Sequence, residues 1–112
     1  ENKVLAESME NNKSFLIKQI QLYKANIILC CGYTYKDGNI ILNFLKENYL
    51  KDIRKVEGSE GWIYYSENEN IIIINSYHPS YTGYTDEWFY NELLKNFSLS
   101  VSKLDFVFLP LF

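Results

Sequence analysis

Positive charge is scarce in this chain: eleven Lys and Arg stand against fourteen Asp and Glu, for a net charge of −3 and a pI of about 5.1. That balance argues against a stand-alone nucleic-acid binder working through a broad basic surface. Hydroxyls and backbone N–H groups can still reach phosphate, so local contacts stay open. Apolar runs fall far short of the ~18 residues that a membrane span needs, and no leader pattern is visible. The first residue is Glu1 rather than Met. The expectation is that a segment was removed or that the chain is a piece of a longer one. Cysteine is limited to the adjacent pair Cys30 and Cys31, with no C-x-x-C spacing of the kind that holds a metal. Neighbouring strand residues point to opposite faces, so the two are not expected to bridge. They read as small buried hydrophobes in a reducing compartment, which points to a cytoplasmic protein.

What the chain has is apolar and aromatic mass. Of 112 residues, 47% are hydrophobic and 17% aromatic, enough for one domain with a real core and too much for a disordered segment. Ten Tyr and two Trp need partners for their polar tips, so many should be half buried or lie at an interface.

The periodicity predicts a helix over 4–23, with Leu16, Ile20 and Tyr23 on one face. The run 26–31, closed by Gly32, predicts a strand buried on both faces. A turn over 32–38 follows, in which Asp37 can cap a helix over 39–49 carrying Ile41, Phe44, Leu45 and Tyr49 on its apolar face. Residues 51–57 are polar and ambiguous. Strands over 62–65 and 71–75 form a hairpin. A loop over 76–85 leads to a helix capped by Asp86 or Thr85 and running to about residue 97, with Phe89, Leu93 and Phe97 inward. The tail alternates at Leu99 and Val101 and turns strongly apolar from Phe106 to Phe112, as a final strand or a cover for the core. No internal repeat, low-complexity tract or interdomain linker is apparent.

Helices between strands predict an α/β fold, a layered α/β/α sheet with helices on both faces. Binding crevices in such sheets lie outside the C-terminal ends of the strands. Two segments qualify, 32–37 after the first strand and 76–85 after the last, neighbours in space though some forty positions apart. The second carries His78, the only histidine, stiffened by Pro79 and surrounded by the hydroxyls of Ser80, Tyr81, Thr82 and Tyr84. A lone histidine is most often structural, and a tyrosine-rich loop packing on the sheet edge is the plain alternative.

The stretch from Ile71 through Asn75, Ser76, Tyr77, His78, Pro79 and Ser80 resembles the C-terminal signature of the uracil-DNA glycosylase superfamily. The apolar run from Ala25 to Gly32 is similar to that family's strand ending in glycine, and the helix with Phe15, Leu16, Gln19 and Ile20 fits the element before it. The resemblance covers about residues 5–97. It implies an incomplete glycosylase-like fold that recognises uracil or another base extruded from DNA. His78 would donate a hydrogen bond to the uracil oxygen as charge builds there, the one catalytic residue. Gly32, Tyr33, Thr34, Pro79, Ser80, Tyr81 and Thr82 would contact DNA, with 81–84 where the family's wedge sits.

The family's water-activating acid and base-reading asparagine lie upstream of the matched region, and nothing in this chain replaces them. Where the iron–sulfur branch has a cysteine, this chain has Asn11, Asn12 and Lys13, so no metal or other cofactor is expected. Tyr33 replaces the serine of the glycine–serine loop, and no Arg or Lys lies between Lys55 and Lys95. Three readings remain: half of a base-excision glycosylase, inactive by itself; a non-catalytic relative binding nucleic acid, nucleotide or protein; and an unrelated α/β module with a structural His78. An open sheet edge would also permit a homo-oligomer.

Overall fold

A computed structural model describes residues 2–34, 38–77 and 83–103. Two helices open the chain, α1 (Asn2–Asn11) and α2 (Lys13–Tyr23). The single helix expected over 4–23 is broken at Asn12, whose backbone leaves the helical basin (φ −110°, ψ 19°) while its side-chain amide donates to the Ser8 carbonyl at 2.8 Å. Asparagine competes for backbone groups in this way and so interrupts a pattern that apolar spacing alone would continue. Helix α2 stops where Lys24 turns left-handed (φ 50°).

Strand β1 (Ile27–Cys30) comes next, then a two-residue hairpin of β2 (Tyr33–Thr34) and β3 (Gly38–Asn39), then α3 (Ile40–Asn48). The segment expected to be a plain turn thus carries a small strand pair. The α3 cap is Asn39, whose Oδ1 accepts from the Leu42 N–H at 3.2 Å; Asp37 lies outside the described residues. The ambiguous stretch yields β4 (Arg54–Lys55), and β5 (Ile63–Ser66) and β6 (Ile71–Asn75) make the expected hairpin. Asp52 anchors its turn, accepting from the Ser66 hydroxyl at 2.8 Å and the Asn68 N–H at 2.9 Å.

Helix α4 (Asp86–Lys103) closes the described chain, capped by Thr85, whose Oγ1 accepts from Trp88 N–H at 3.1 Å. It runs past residue 97, so the alternation at Leu99 and Val101 belongs to a helix, not a strand. Residues 104–112 lie outside the described residues.

Among the described residues the fold is mixed α/β, with four helices and a small mixed sheet in strand order β1-β6-β5-β4. Only β1 and β6 run parallel; β5 and β4 are antiparallel to their neighbours. Met9, Leu16, Ile20, Leu42, Phe44 and Leu45 of the first three helices pack on the face bearing Cys30, Ile71 and Ile73. Leu93, Phe97 and Val101 of α4 pack with Ile63, Tyr65, Ile72 and Ile74 on the other.

Strand β6 is central and covered on both faces, which is why four consecutive isoleucines are all buried. Each contributes about 1.5–3 kcal/mol by leaving water. The run at 26–31 was expected to be equally buried. It is instead an edge strand: Ile27 and Leu29, on the α4 side, are exposed, because nothing among the described residues pairs beyond it.

Candidate functional site

Parallel pairing puts the C-terminal ends of β1 and β6 on one rim, with Cys30 in register with Asn75. The chain interleaves just beyond. Ser76 N–H donates to the Cys30 carbonyl at 2.9 Å, and Tyr33 N–H donates to the Ser76 carbonyl at 3.1 Å. Gly32 sits between these bonds, and a Cβ there would lie 3.3 Å from Asn39 Oδ1 and 3.4 Å from Ile41 Cδ1. The close approach of the β1 end to the start of α3 therefore favours glycine.

Two asparagines tie the rim together. Asn39, buried, donates through Nδ2 to the Cys30 carbonyl and to Asn75 Oδ1, both at 2.8 Å. Asn75 in turn donates to the Gly61 carbonyl at 3.1 Å. The ends of β1 and β6, the first turn of α3 and the approach to β5 are thus joined by side-chain amides.

Aromatic rings cover the same rim. Tyr33 meets Tyr77 edge-on with centroids 5.1 Å apart, and Tyr77 meets Tyr84 at 5.5 Å. Tyr84 stacks on Phe89 at 5.1 Å with an interplanar angle of 10°, and lies 5.3 Å from Trp88. Trp62 closes the row, 6.1 Å from Trp88 and 5.5 Å from Phe89. Such pairs contribute about 0.5–1.5 kcal/mol each beyond the area they bury. Tyr77 and Tyr84, distant by seven positions in the chain, thus lie ring to ring at this rim.

Of the residues expected to form a site, Gly32, Tyr33 and Thr34 are brought beside Tyr77. His78, Pro79, Ser80, Tyr81 and Thr82 lie outside the described residues. The Tyr33 N–H is engaged by Ser76, and Tyr33 and Thr34 are paired with β3, so Tyr33 presents its ring rather than its backbone N–H. Asn39, Asn75, Trp62 and Trp88 were not foreseen as rim residues. The sequence hints at them only through Asn75 at the close of the 71–75 run and the general excess of aromatics.

The thiols at the rim are not built for nucleophilic work. Burial pushes Cys30 up to about 12, with Cys31 beside it adding to the rise, and burial raises Cys31 as well. Both are free cysteines. At the opposite end of the sheet an open groove of about 350 Å³ is lined by residues including Lys24, Asn26, Tyr49 and Glu69, and the Tyr49 hydroxyl donates to Glu69 at 3.3 Å. It is remote from the rim. No helix among the described residues is long and apolar enough to cross a membrane.

No family model matches the chain, and no curated protein or solved structure matches it either.

Proposed function

We propose that this rim recognises an unstacked nucleobase in DNA, and that the chain is the C-terminal part of a layered base-excision fold of the uracil-DNA glycosylase type. The observation that carries the reading is the convergence of the two post-strand segments. Tyr33, from the loop after β1, packs on Tyr77, from the loop after β6, at the start of the stretch that holds His78. Ring faces of this kind supply base stacking worth about 1–3 kcal/mol per base and need no cationic surface to do it. In this reading His78 donates to a carbonyl oxygen of the base, while Gly32, Thr34, Pro79, Ser80 and Thr82 follow the strand. Tyr81 fills the space left by the extruded nucleotide. The unpaired cysteines fit a reducing, cytoplasmic setting.

The strands ending at this rim, β1 and β6, close on Cys30 and Asn75, and neither is a carboxylate. Hydrolysis of a glycosidic bond needs an acid to position water or stabilise the sugar cation. The chain by itself therefore recognises a base without excising it, and excision requires an acid from elsewhere.

Titration of the 112-residue chain with single-stranded oligonucleotides, one with a central uracil and one with an abasic analogue in its place, tests this. Trp62 and Trp88, beside the rim, report by fluorescence. The expected result is saturable quenching, stronger for uracil, and weakened by Tyr33→Ala or Tyr77→Ala at a temperature where both variants keep the wild-type far-UV spectrum. Equal affinity for both oligonucleotides, or binding indifferent to both substitutions, would sink base recognition at this rim.

A further inference from the structure

We propose that β1 is a self-pairing edge, and that two copies of this chain join there about a two-fold axis into one continuous eight-stranded sheet. The two edges of the sheet are built differently. β4 is two residues long and both, Arg54 and Lys55, are charged and exposed, the usual guard against pairing with another chain. β1 has no such guard: from Ala25 to Tyr35 the chain carries no charged residue. Its solvent-facing side chains are apolar, Ile27 at 40% exposure and Leu29 at 53%. Alongside runs a groove of about 240 Å³ between β1 and α4, lined by Ile27, Ile74, Tyr90, Leu93, Leu94 and Phe97. Tyr90 and Leu94, 62% and 50% exposed, extend the patch along α4. Contiguous apolar surface of this kind marks an interaction site.

The backbone sets the geometry of the pairing. Ile72 N–H donates to the Asn26 carbonyl and Ser76 N–H to the Cys30 carbonyl, so the N–H groups of Ile28 and Cys30 face β6. By strand alternation the N–H and C=O groups of Ile27 and Leu29 face the open edge. A two-fold axis beside Ile28 brings Ile27 opposite Leu29 of the second copy, and the reverse, each pair exchanging two hydrogen bonds. This isologous arrangement buries the same stripe on both copies. No residue from Ala25 to Cys31 is charged, so no like charges meet along the paired strands. Pairing through β4 would bring Lys55 and Arg54 against one another. The absence of charge repulsion at β1, and its presence at β4, is what favours a second copy here.

The inference does not depend on the proposed function; the pairing runs along β1 and reaches the rim at Cys31, leaving the aromatic row outside it. Sedimentation or light scattering over a roughly hundredfold concentration range tests it. The full 112-residue chain should be dimeric, and Leu29→Lys and Leu94→Lys should each yield monomers with an unchanged far-UV spectrum. Both positions are at least half exposed, so neither change disturbs the core. In the same register Ala25 faces Cys31 of the second copy, and Ala25→Cys should form two intermolecular disulfides on mild oxidation. A monomeric wild-type chain, a dimer that survives both lysine variants, or a dimer in which Ala25→Cys does not cross-link to Cys31 would each overturn the proposal.

Discussion

Asn39 Nδ2 lies 2.8 Å from Asn75 Oδ1, joining the first turn of α3 to the end of the central strand. The same amide group donates to the end of β1 and, through Oδ1, caps α3. One buried side chain therefore fixes the relative positions of three elements whose ends make the rim.

Replacing Asn39 by Ala removes the cap, takes one of two donors from the Cys30 carbonyl, which keeps the Ser76 N–H, and leaves the part-buried Asn75 Oδ1 without the Asn39 donor. The expected loss is about 2–3 kcal/mol, the cap and the unmet part-buried acceptor each contributing. Asn75→Ala should cost less, since Asn39 keeps its bonds to Cys30 and Leu42. A double-mutant cycle by denaturant unfolding should give a coupling of at least about 0.5 kcal/mol. Additive losses would show that the two amides do not act together.

The cysteines should separate by reactivity. Cys30 is fully buried and its thiol is pushed up to about 12, so almost no thiolate exists near neutral pH. Cys31 is raised by burial too, but it is less enclosed than Cys30. Thiolate is the attacking species, so native protein at mildly alkaline pH should take one label, at Cys31, and a second only on unfolding. Peptide mapping after timed alkylation reads this directly. Labelling of Cys30 at a rate near that of Cys31 would mean that the β1 end opens far more readily than its packing implies.

Much of the sheet was legible in the residues because β5 and β6 depend on local pattern. Four β-branched residues in a row after a polar turn read as the second strand of a hairpin, and β6 is that strand, buried on both faces. Apolar continuity misplaced 26–31, since it reports what a strand could bury, not whether a neighbour exists to cover it. Asn12 broke a helix that spacing alone extended, through a single amide-to-carbonyl bond. The rim itself was half legible. Strand polarity placed the segments after β1 and β6 together, but the Asn39–Asn75 link and the Tyr84–Trp88–Trp62 row depend on long-range register that no local signal encodes.

Asp52 gives a pH dependence whose sign can be stated. Its slight burial raises the carboxyl, but the Asn68 N–H and the Ser66 hydroxyl outweigh that and hold it below its ordinary value of 3.8. A folded value below the unfolded one contributes stability above the unfolded value, and that contribution is lost as pH falls through the folded one. The carboxyl is largely solvated, so the contribution is modest, about 1 kcal/mol for the hydrogen-bonded turn. The stability difference between the wild-type chain and Asp52→Ala should be constant above about pH 5 and shrink steadily below 3.8. A difference unchanged down to the acid transition would show that the charge on Asp52 does not hold the turn.

His78 offers the sharpest test of the proposed chemistry. Where the chain is complemented by the acid that excision requires, His78→Ala should slow the chemical step far more than it weakens binding to DNA. A hydrogen bond to the base oxygen strengthens as negative charge grows there, so its value is realised mainly in the transition state. A loss of roughly 10²-fold or more in single-turnover rate is the scale for one such donor. The imidazole acts as a neutral donor in this role, so the ratio of wild-type to variant rates should stay flat through about pH 6–7, where a free histidine would change charge. If His78 only packs against the tyrosines of the rim, the substitution lowers Tm and leaves turnover per folded molecule as it was. Rate, affinity and Tm measured on the same variant separate the two cases. A stability loss with normal single-turnover kinetics would remove His78 from the chemistry and leave the rim with recognition alone.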